Sequence, residues 1–407
     1  MRFLALIAAT CLFAATAQAS DLALIHATVY TSPDAPPLKD ATVLIHDGKI
    51  AAVAHAIKTP ATATIIDCTG LTITAGFWNS HVHILPPQLL HAEGKSDADI
   101  AAQLQIMFTH WGFTTVFDIA SVLANTNNIR GHIASGKIDG PRILTTGEPF
   151  WGPGGTPVYV AQYLKAMNIS IPDTESASQA ITRVDQQVHD GADGIKIFAG
   201  SIESDGVHLL QPGIAKAVVA EAHKDHRLVF AHPSSIKGVN LSIDSGVDIL
   251  AHVSSDEGPW TPALVQRMLA AHMSLIPTLT LFGFEMQKGN ASPEATQALV
   301  TLATGQLRSY ASSGGQILFG TDIGYIDHYD TAEEFTLMSR AGMTFPQILA
   351  SLTTNPAKRF GYTHTGRVAP DMDADLTILK SDPAADITAL SHVAYTIRDG
   401  KVIYAAK

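Results

Sequence analysis

Apolar positions in this chain fall into two patterns, and the segments sort by them. Residues 21–70 carry short runs rich in Val, Ile and Thr, namely "DLALIHATVYTS", "DATVLIHDGKIAAV" and "TATIIDCTG". That composition suits half-buried strands. Asp47-Gly48 inside the second run marks a hairpin turn. The C-terminal stretch repeats the style with "ADLTILKSD" and "VAYTIRDGKVIYAA", and a second Asp-Gly pair stands at 399–400. Two β segments at opposite ends of the chain predict one small β-sandwich domain, built from residues 20–71 and 364–407.

Between them the pattern alternates. Short apolar runs appear at "LTITAGF", "FTTVFDI", "RILTTG", "GIKIFAG", "RLVFAH", "VDILAH", "MSLIPTL" and "QILFGTD". Helical stretches separate most of them, at 97–111, 175–190, 212–225, 261–272 and 294–313. Strands alternating with helices predict an α/β fold, either a parallel barrel or a doubly wound sheet. The number of strands favours a (β/α)8 TIM barrel over residues 72–363. Between "RLVFAH" and "VDILAH" only a short helix fits. The Gly- and Pro-rich segment "GEPFWGPGGTPVY" reads as a long loop after the third strand.

Composition changes this picture little. The chain has 407 residues, 46% hydrophobic and 15% charged, enough for a full core. Its net charge is −11 and its basic residues do not cluster, which argues against nucleic acid or an anionic membrane as partner. A small-molecule substrate is the expected partner, and oligomeric state is not legible. The N-terminus does add something. Arg2 precedes an apolar run from Phe3 to Thr16, which ends in Ala17-Gln18-Ala19. Positive charge, apolar core and A-x-A order predict a signal peptide over residues 1–19 and an exported, periplasmic or secreted protein. The run is too short for a membrane helix, so no stable span is expected in the mature chain. Cys68 would be the mature chain's one cysteine, so no internal disulfide is available.

The candidate chemistry lies where barrel enzymes keep it, at the C-terminal ends of the strands. His81 and His83 end the first strand, Lys196 lies in the fourth, His232 and His252 end the fifth and sixth, and Asp322 ends the eighth. Side chains on a strand alternate, so His81 and His83 face the same way, with Cα atoms about 6.5 Å apart. Two imidazoles so placed are able to converge on one ion, but such a pair taken alone more often packs than binds metal. His232 and His252 taken singly read as core or surface histidines, and Asp322 as a helix N-cap. Lys196 in an apolar strand is harder to explain structurally, because a lone buried ammonium is costly. The six together, in this order at strand ends, point to a metal site.

With those residues in place, the chain resembles the amidohydrolase superfamily, in its prolidase-like, imidazolonepropionase-like branch. The motifs are His81-x-His83, Lys196, His232, His252 and Asp322, followed by the tail "LTTNPAKRFGYTHTGRVAPDMDADLTILKSDP". The resemblance implies two divalent metal ions, with zinc the expected metal, and a CO2-derived carbamate on Lys196 that bridges them. One ion would have His81, His83, Lys196 and Asp322, and the other Lys196, His232 and His252. It implies a shared hydroxide as nucleophile, with Asp322 as general base and then acid. The implied reaction is hydrolysis of an amide or peptide-like C–N bond, in a dipeptide or N-acyl amino acid. The chain departs from the family pattern at Ala75-Gly76 and Asn79, where Pro-Gly and an Asp are usual. An Asn at 79 keeps hydrogen-bonding capacity without the charge.

Other readings share parts of this evidence. A lactonase or phosphotriesterase-like hydrolase would use the same metal set. A mononuclear deaminase would carry a Glu at the place of Ser235 and lack the lysine. A non-enzymatic scaffold would have lost ligands. Substrate contacts are expected from the strand-end loops, at Trp151, Tyr159, Ser201, Lys237, Tyr325 and His328. Lys237 would meet a substrate carboxylate. Each of these is equally consistent with ordinary loop structure, and Trp260 with packing over the barrel mouth.

Overall fold

The computed structural model describes residues 21–254, 256 and 258–407. The predicted signal peptide lies outside the described residues. Strands from both chain ends share a single hydrogen-bonded sheet of eight strands. Its seam is Thr72–Ala75 paired antiparallel with Leu376–Leu379, in the register Ile73 opposite Ile378. Leu24, Val43, Ile45, Ile73, Leu376, Ile378 and Ile397 bury one apolar core there, together with Cys68. Both Asp-Gly pairs form the expected turns, with positive φ at Asp47, Gly48, Asp399 and Gly400. The two turns pack against each other: a Cβ on Gly48 would lie 3.1 Å from the Asp399 carbonyl oxygen.

The run "LTITAGF", read from sequence as the first barrel strand, divides at Gly76. Thr72–Ala75 belongs to the terminal sheet, whereas Phe77–Val82 opens a parallel sheet with Phe113–Asp118 and Arg142–Thr145. The terminal sheet therefore extends past residue 71. Gly76 allows the passage because any Cβ there would sit 2.3 Å from Thr114 Oγ1.

A second parallel sheet orders Gly194–Phe198, Leu228–His232, Ile249–Ala251 and Ser274–Ile276 side by side. Isolated parallel bridges, Phe150 to Ile197, Leu275 to Ile317 and Val82 to Ile323, connect the parallel sheets and the segment at 317–323. Residues 316–322 do not form a regular strand. They are held by single bonds, such as Ser80 N–H to the Phe319 oxygen at 2.7 Å, and Asp322 turns the backbone at φ 63°. Trp78, Leu144, Phe230, Ile249, Ile276 and Leu318 meet in one buried cluster, drawn from both parallel sheets and this segment.

The predicted helices appear as Asp97–Met107, Ala177–His189, Pro212–Lys224, Pro262–Ala270 and Pro293–Ala311, four of them capped by the side chains of Ser96, Ser176, Thr261 and Ser292. The short crossover is a helix at Ile236–Ser245. Helices at Val158–Met167 and Leu279–Lys288, and a hairpin of Gly200–Glu203 with Gly206–Leu209, lie beyond the sequence reading. No helix among the described residues is long and apolar enough to cross a membrane.

Gly76→Ala is expected to destabilise the protein by about 1–3 kcal/mol through overpacking against Thr114. Gly94→Ala, where nothing lies within 4 Å of the added carbon, is expected to be near neutral. Urea unfolding of the two variants beside the parent checks this.

Candidate active site

The six strand-end residues converge. His81 ends Phe77–Val82, and its ring centroid lies 5.2 Å from that of His83 and 4.5 Å from that of His252. The rings of His252 and His232 are 4.6 Å apart. Asp322 reaches the same place from residues 316–322: its Oδ1 is 2.7 Å from His83 Nε2 and 3.2 Å from His81 Nε2. Its backbone N–H donates to the His81 carbonyl at 2.9 Å, which fixes the two segments together. One ligand atom each from His81, His83 and Asp322 lies within 4.8 Å of the others.

The electrostatics follow from burial. His81 is fully buried, and burial lowers its pKa to about 4. Burial pushes His232 and His252 well below the usual histidine value, with Lys196 and the other imidazoles adding to the effect. For Asp322, burial alone would raise the pKa, but His81 and His83 hold it well below the carboxylate range, so it is ionised. Lys196 is 1% exposed, and burial lowers it to about 7. Its Nζ stands 5.8 Å from the Phe198 ring centroid, and no carboxylate among the described residues pairs with it.

These groups leave polar atoms without partners. His81 Nδ1 and His83 Nδ1 are buried and make no hydrogen bond, while His81 Nε2 and Asp322 Oδ1 face each other at 3.2 Å without an aligned one. Such atoms are costly unless something satisfies them. Neutral imidazoles with free lone pairs around an ionised carboxylate suit a divalent cation.

Supporting residues set the orientation. The Thr278 hydroxyl donates to the Pro277 carbonyl at 2.9 Å, and its oxygen is 2.6 Å from His252 Nδ1. The hydroxyl proton is thus committed, so Thr278 accepts from Nδ1–H and His252 Nε2 keeps its lone pair. Thr278 does this in a left-handed conformation, φ 44°, unfavourable for a β-branched residue. Buried Glu334 clamps the following turn, accepting from the N–H groups of Leu279 and Thr280 and from the Thr280 hydroxyl, each at 2.8 Å. Asn79 performs the expected bonding: Nδ2 donates to Thr321 Oγ1 at 2.7 Å, and Oδ1 accepts from the His81 N–H at 3.3 Å.

A chamber of about 1150 Å³ opens over the six residues. Of the predicted contacts, Trp151, Tyr159 and Tyr325 line it, and the Tyr159 hydroxyl is 3.4 Å from His232 Nε2. Ser201, Lys237 and His328 do not line it. Ser201 is buried in the hairpin, Lys237 points outward from the first turn of Ile236–Ser245, and exposed His328 packs by Phe284. Trp260 is a packing residue, with its indole N–H donating to Ser254 Oγ and its ring against Tyr310. The wall residues Leu281, Phe282, Glu285 and Lys288 escaped the sequence reading because their helix did. Ser235 caps the helix Ile236–Ser245, accepting from the Gly238 N–H at 3.2 Å.

With this geometry established, comparison with known proteins is decisive. The model of the Amidohydrolase family matches residues 72–403. The chain belongs to the amidohydrolase family. It is an enzyme that hydrolyses carbon–nitrogen bonds, and divalent metal use in the family agrees with the His81, His83 and Asp322 group. Among curated relatives, the ochratoxinase of Aspergillus niger is 24% identical over 413 aligned residues, covering 92% of this chain and 84% of that protein. A dihydroorotase of Streptococcus pneumoniae is 24% identical, covering 89% and 95%. Among solved structures, a Xaa-Pro dipeptidase with bound methionine aligns at TM-score 0.81 and 23% identity, covering 95% of this amidohydrolase and 100% of that chain. That likeness shows the shared fold.

Thr278→Val keeps the branched shape but leaves the His252 Nδ1–H buried and unpaired. A loss of about 1–3 kcal/mol is expected, with most of it recovered in Thr278→Ser. Urea unfolding of both variants checks the assignment.

Proposed function

We propose that this amidohydrolase cleaves the C–N bond of an amide in a dipeptide or N-acyl amino acid, at a site for two divalent cations. The observation that carries the reading is the convergence of six side chains, with His81, Lys196, His252 and Asp322 buried, around ring nitrogens of His81 and His83 that make no hydrogen bond. His81, His83 and Asp322 would hold one cation and His232 and His252 the other. Lys196, as a carbamate, would reach both. Zinc suits this nitrogen and oxygen donor set. Bound there, the cations supply Lewis acidity, which polarises a carbonyl and lowers the pKa of a water toward neutrality.

The chain's own groups have separate tasks. Lys196, kept from its charged form by burial, adds its amine to CO2: an N–C bond forms, one C=O electron pair moves to oxygen, and a proton leaves. The product is an anion in place of a neutral amine, and its proton leaves to solvent through the open chamber. Asp322, held ionised, accepts a proton from the attacking water on its carboxylate and returns it to the departing nitrogen. Tyr159, beside His232, offers a neutral hydroxyl to the substrate; burial raises its pKa. The use of Ser235 as a helix cap weighs against a deaminase, since no acid stands there.

The same reading extends to architecture and location. The two parallel sheets and residues 316–322 would close as a (β/α)8 barrel, with both chain ends forming a β-sandwich domain. Residues 1–19 would direct export to the periplasm or medium.

Lys196→Ala is expected to lose both bound metal and hydrolysis, with partial return of both on adding short carboxylic acids. Asp322→Asn is expected to keep metal at the His232–His252 side while turnover falls by about 100-fold or more. Elemental analysis beside turnover of dipeptides and N-acyl amino acids checks both. Lys196→Ala with full metal and rate rejects the carbamate. For export, N-terminal sequencing of the mature protein is expected to begin at Ser20, and an intact Met1 in the exported fraction overturns cleavage.

A further inference from the structure

The chamber is larger and more apolar than cleavage of a small dipeptide needs. Its volume of about 1150 Å³ is at the upper end for small-molecule sites, which run to roughly 1,000 Å³. Its walls above the polar floor come from four places. Leu85 follows the first parallel strand, Leu164 and Ile171 come from the helix Val158–Met167 and its exit, Ile202 from the hairpin, and Leu281 and Phe282 from the helix Leu279–Lys288.

Two further observations point the same way. First, the Lys288 ammonium at the rim is already paired. Glu285 accepts from the Tyr325 hydroxyl at 2.6 Å, Lys288 donates to the same hydroxyl at 3.1 Å, and Lys288 Nζ lies 3.7 Å from Glu285. Lys288 is therefore committed to Glu285 and Tyr325, the remaining wall charge is the exposed carboxylate of Asp327, and the rim offers a ligand no free cation among the described residues. Second, the mouth exposes apolar side chains. Val158 and Ile202 both line the chamber and are 38% exposed, and Val207 and Leu209 on the same hairpin are 40% and 43% exposed. Apolar surface beside an apolar cavity is surface that an apolar ligand would cover.

We infer that the substrate amide carries a bulky, uncharged apolar group, aromatic or branched aliphatic, which fills this chamber while the amide lies over the histidines. The inference rests on the amide-hydrolase reading and narrows it. Each added apolar group buried in such walls strengthens transition-state binding, and one methylene alone is worth about 10-fold or more. A bulky aryl group in place of a methyl is expected to raise kcat/KM by about 30-fold or more. A carboxylate-bearing group of similar length gains nothing, because its charge would lose water without a free cation to replace it.

Two compound series test this with the purified full-length mature enzyme carrying its metals. One varies the acyl group on glycine: acetyl, succinyl, isovaleroyl and 1-naphthoyl. The other varies the amine side of N-acetyl amino acids: glycine, aspartate, leucine and phenylalanine. In at least one series kcat/KM is expected to climb with apolar size, with the acidic member no better than the smallest. Ile202→Asp and Leu281→Ala are each expected to lower the ratio of the largest to the smallest member by about 5-fold or more. Ile202 is part exposed, so that variant is expected to fold. Flat series, or ratios unmoved by both variants, overturn the inference while leaving amide hydrolysis standing. If no amide is cleaved, the amide reading fails. Calorimetry of N-(1-naphthoyl)glycine against N-acetylglycine then decides the chamber separately: tighter binding of the naphthoyl compound supports it, and equal binding overturns it.

Discussion

Burying polar groups that do not satisfy one another is the constraint on which this structure is organised. The buried imidazoles of His81 and His252, the Lys196 amine and the Asp322 carboxylate occupy one floor, with His83 and His232 at its edge, and several of these atoms lack hydrogen bonds. Left alone this arrangement would weaken the fold, since each orphaned group costs roughly 1–3 kcal/mol. The backbone is bent to maintain it. His252, Thr278 and Asp322 all take positive φ where the strands end, and none is glycine. Strain of this kind persists where the surroundings over-determine it. Here the surroundings are the bond from Asp322 to His81, the Asn79–Thr321 pair and the Glu334 clamp.

The rigidity behind that floor comes partly from the terminal sheet. The Thr377 hydroxyl donates to the Gly112 carbonyl at 2.7 Å and accepts from the Phe77 N–H at 3.2 Å, at the entry to two parallel strands. Thr396 donates to the Thr109 carbonyl at 2.6 Å. Arg142 faces Asp375, whose pKa is pushed up to about 6 by burial, with Arg142 pulling against the rise. Residues of the C-terminal strands thus brace the strands that carry His81 and Asp118. Asp118 in turn ties Ser121, Thr126 and Thr145 under the loop after His83.

Much of this was legible in the sequence, for reasons that differ by region. Histidines, a lysine and an aspartate at the ends of apolar strands are conspicuous types in conspicuous places, so His81, His83, Lys196, His232, His252 and Asp322 stood out before any geometry was available. The Asp-Gly turns were legible because few residues tolerate two successive positive φ values. The break at Gly76 was not, since Thr72–Ala75 and Phe77–Val82 are both apolar and extended, and only the clash with Thr114 separates them. The helix Leu279–Lys288 was hidden because its first turn is buried among apolar neighbours and blends with the preceding strand. Lys237 and His328 were chosen by loop position, which does not reveal where a side chain points.

The helix Leu279–Lys288 has a consequence for anyone who would alter this enzyme. Its first turn is anchored through Thr278 to His252, while its body supplies Leu281, Phe282, Glu285 and Lys288 to the walls. One rigid rod therefore sets both a wall of the chamber and the orientation of His252, and a change of tilt reaches both. The hairpin at 200–209 and the helix Val158–Met167 supply none of the six floor residues, although Tyr159 on that helix reaches His232. Libraries aimed at new substrates belong on those two elements away from Tyr159, where a change leaves the six floor residues in place.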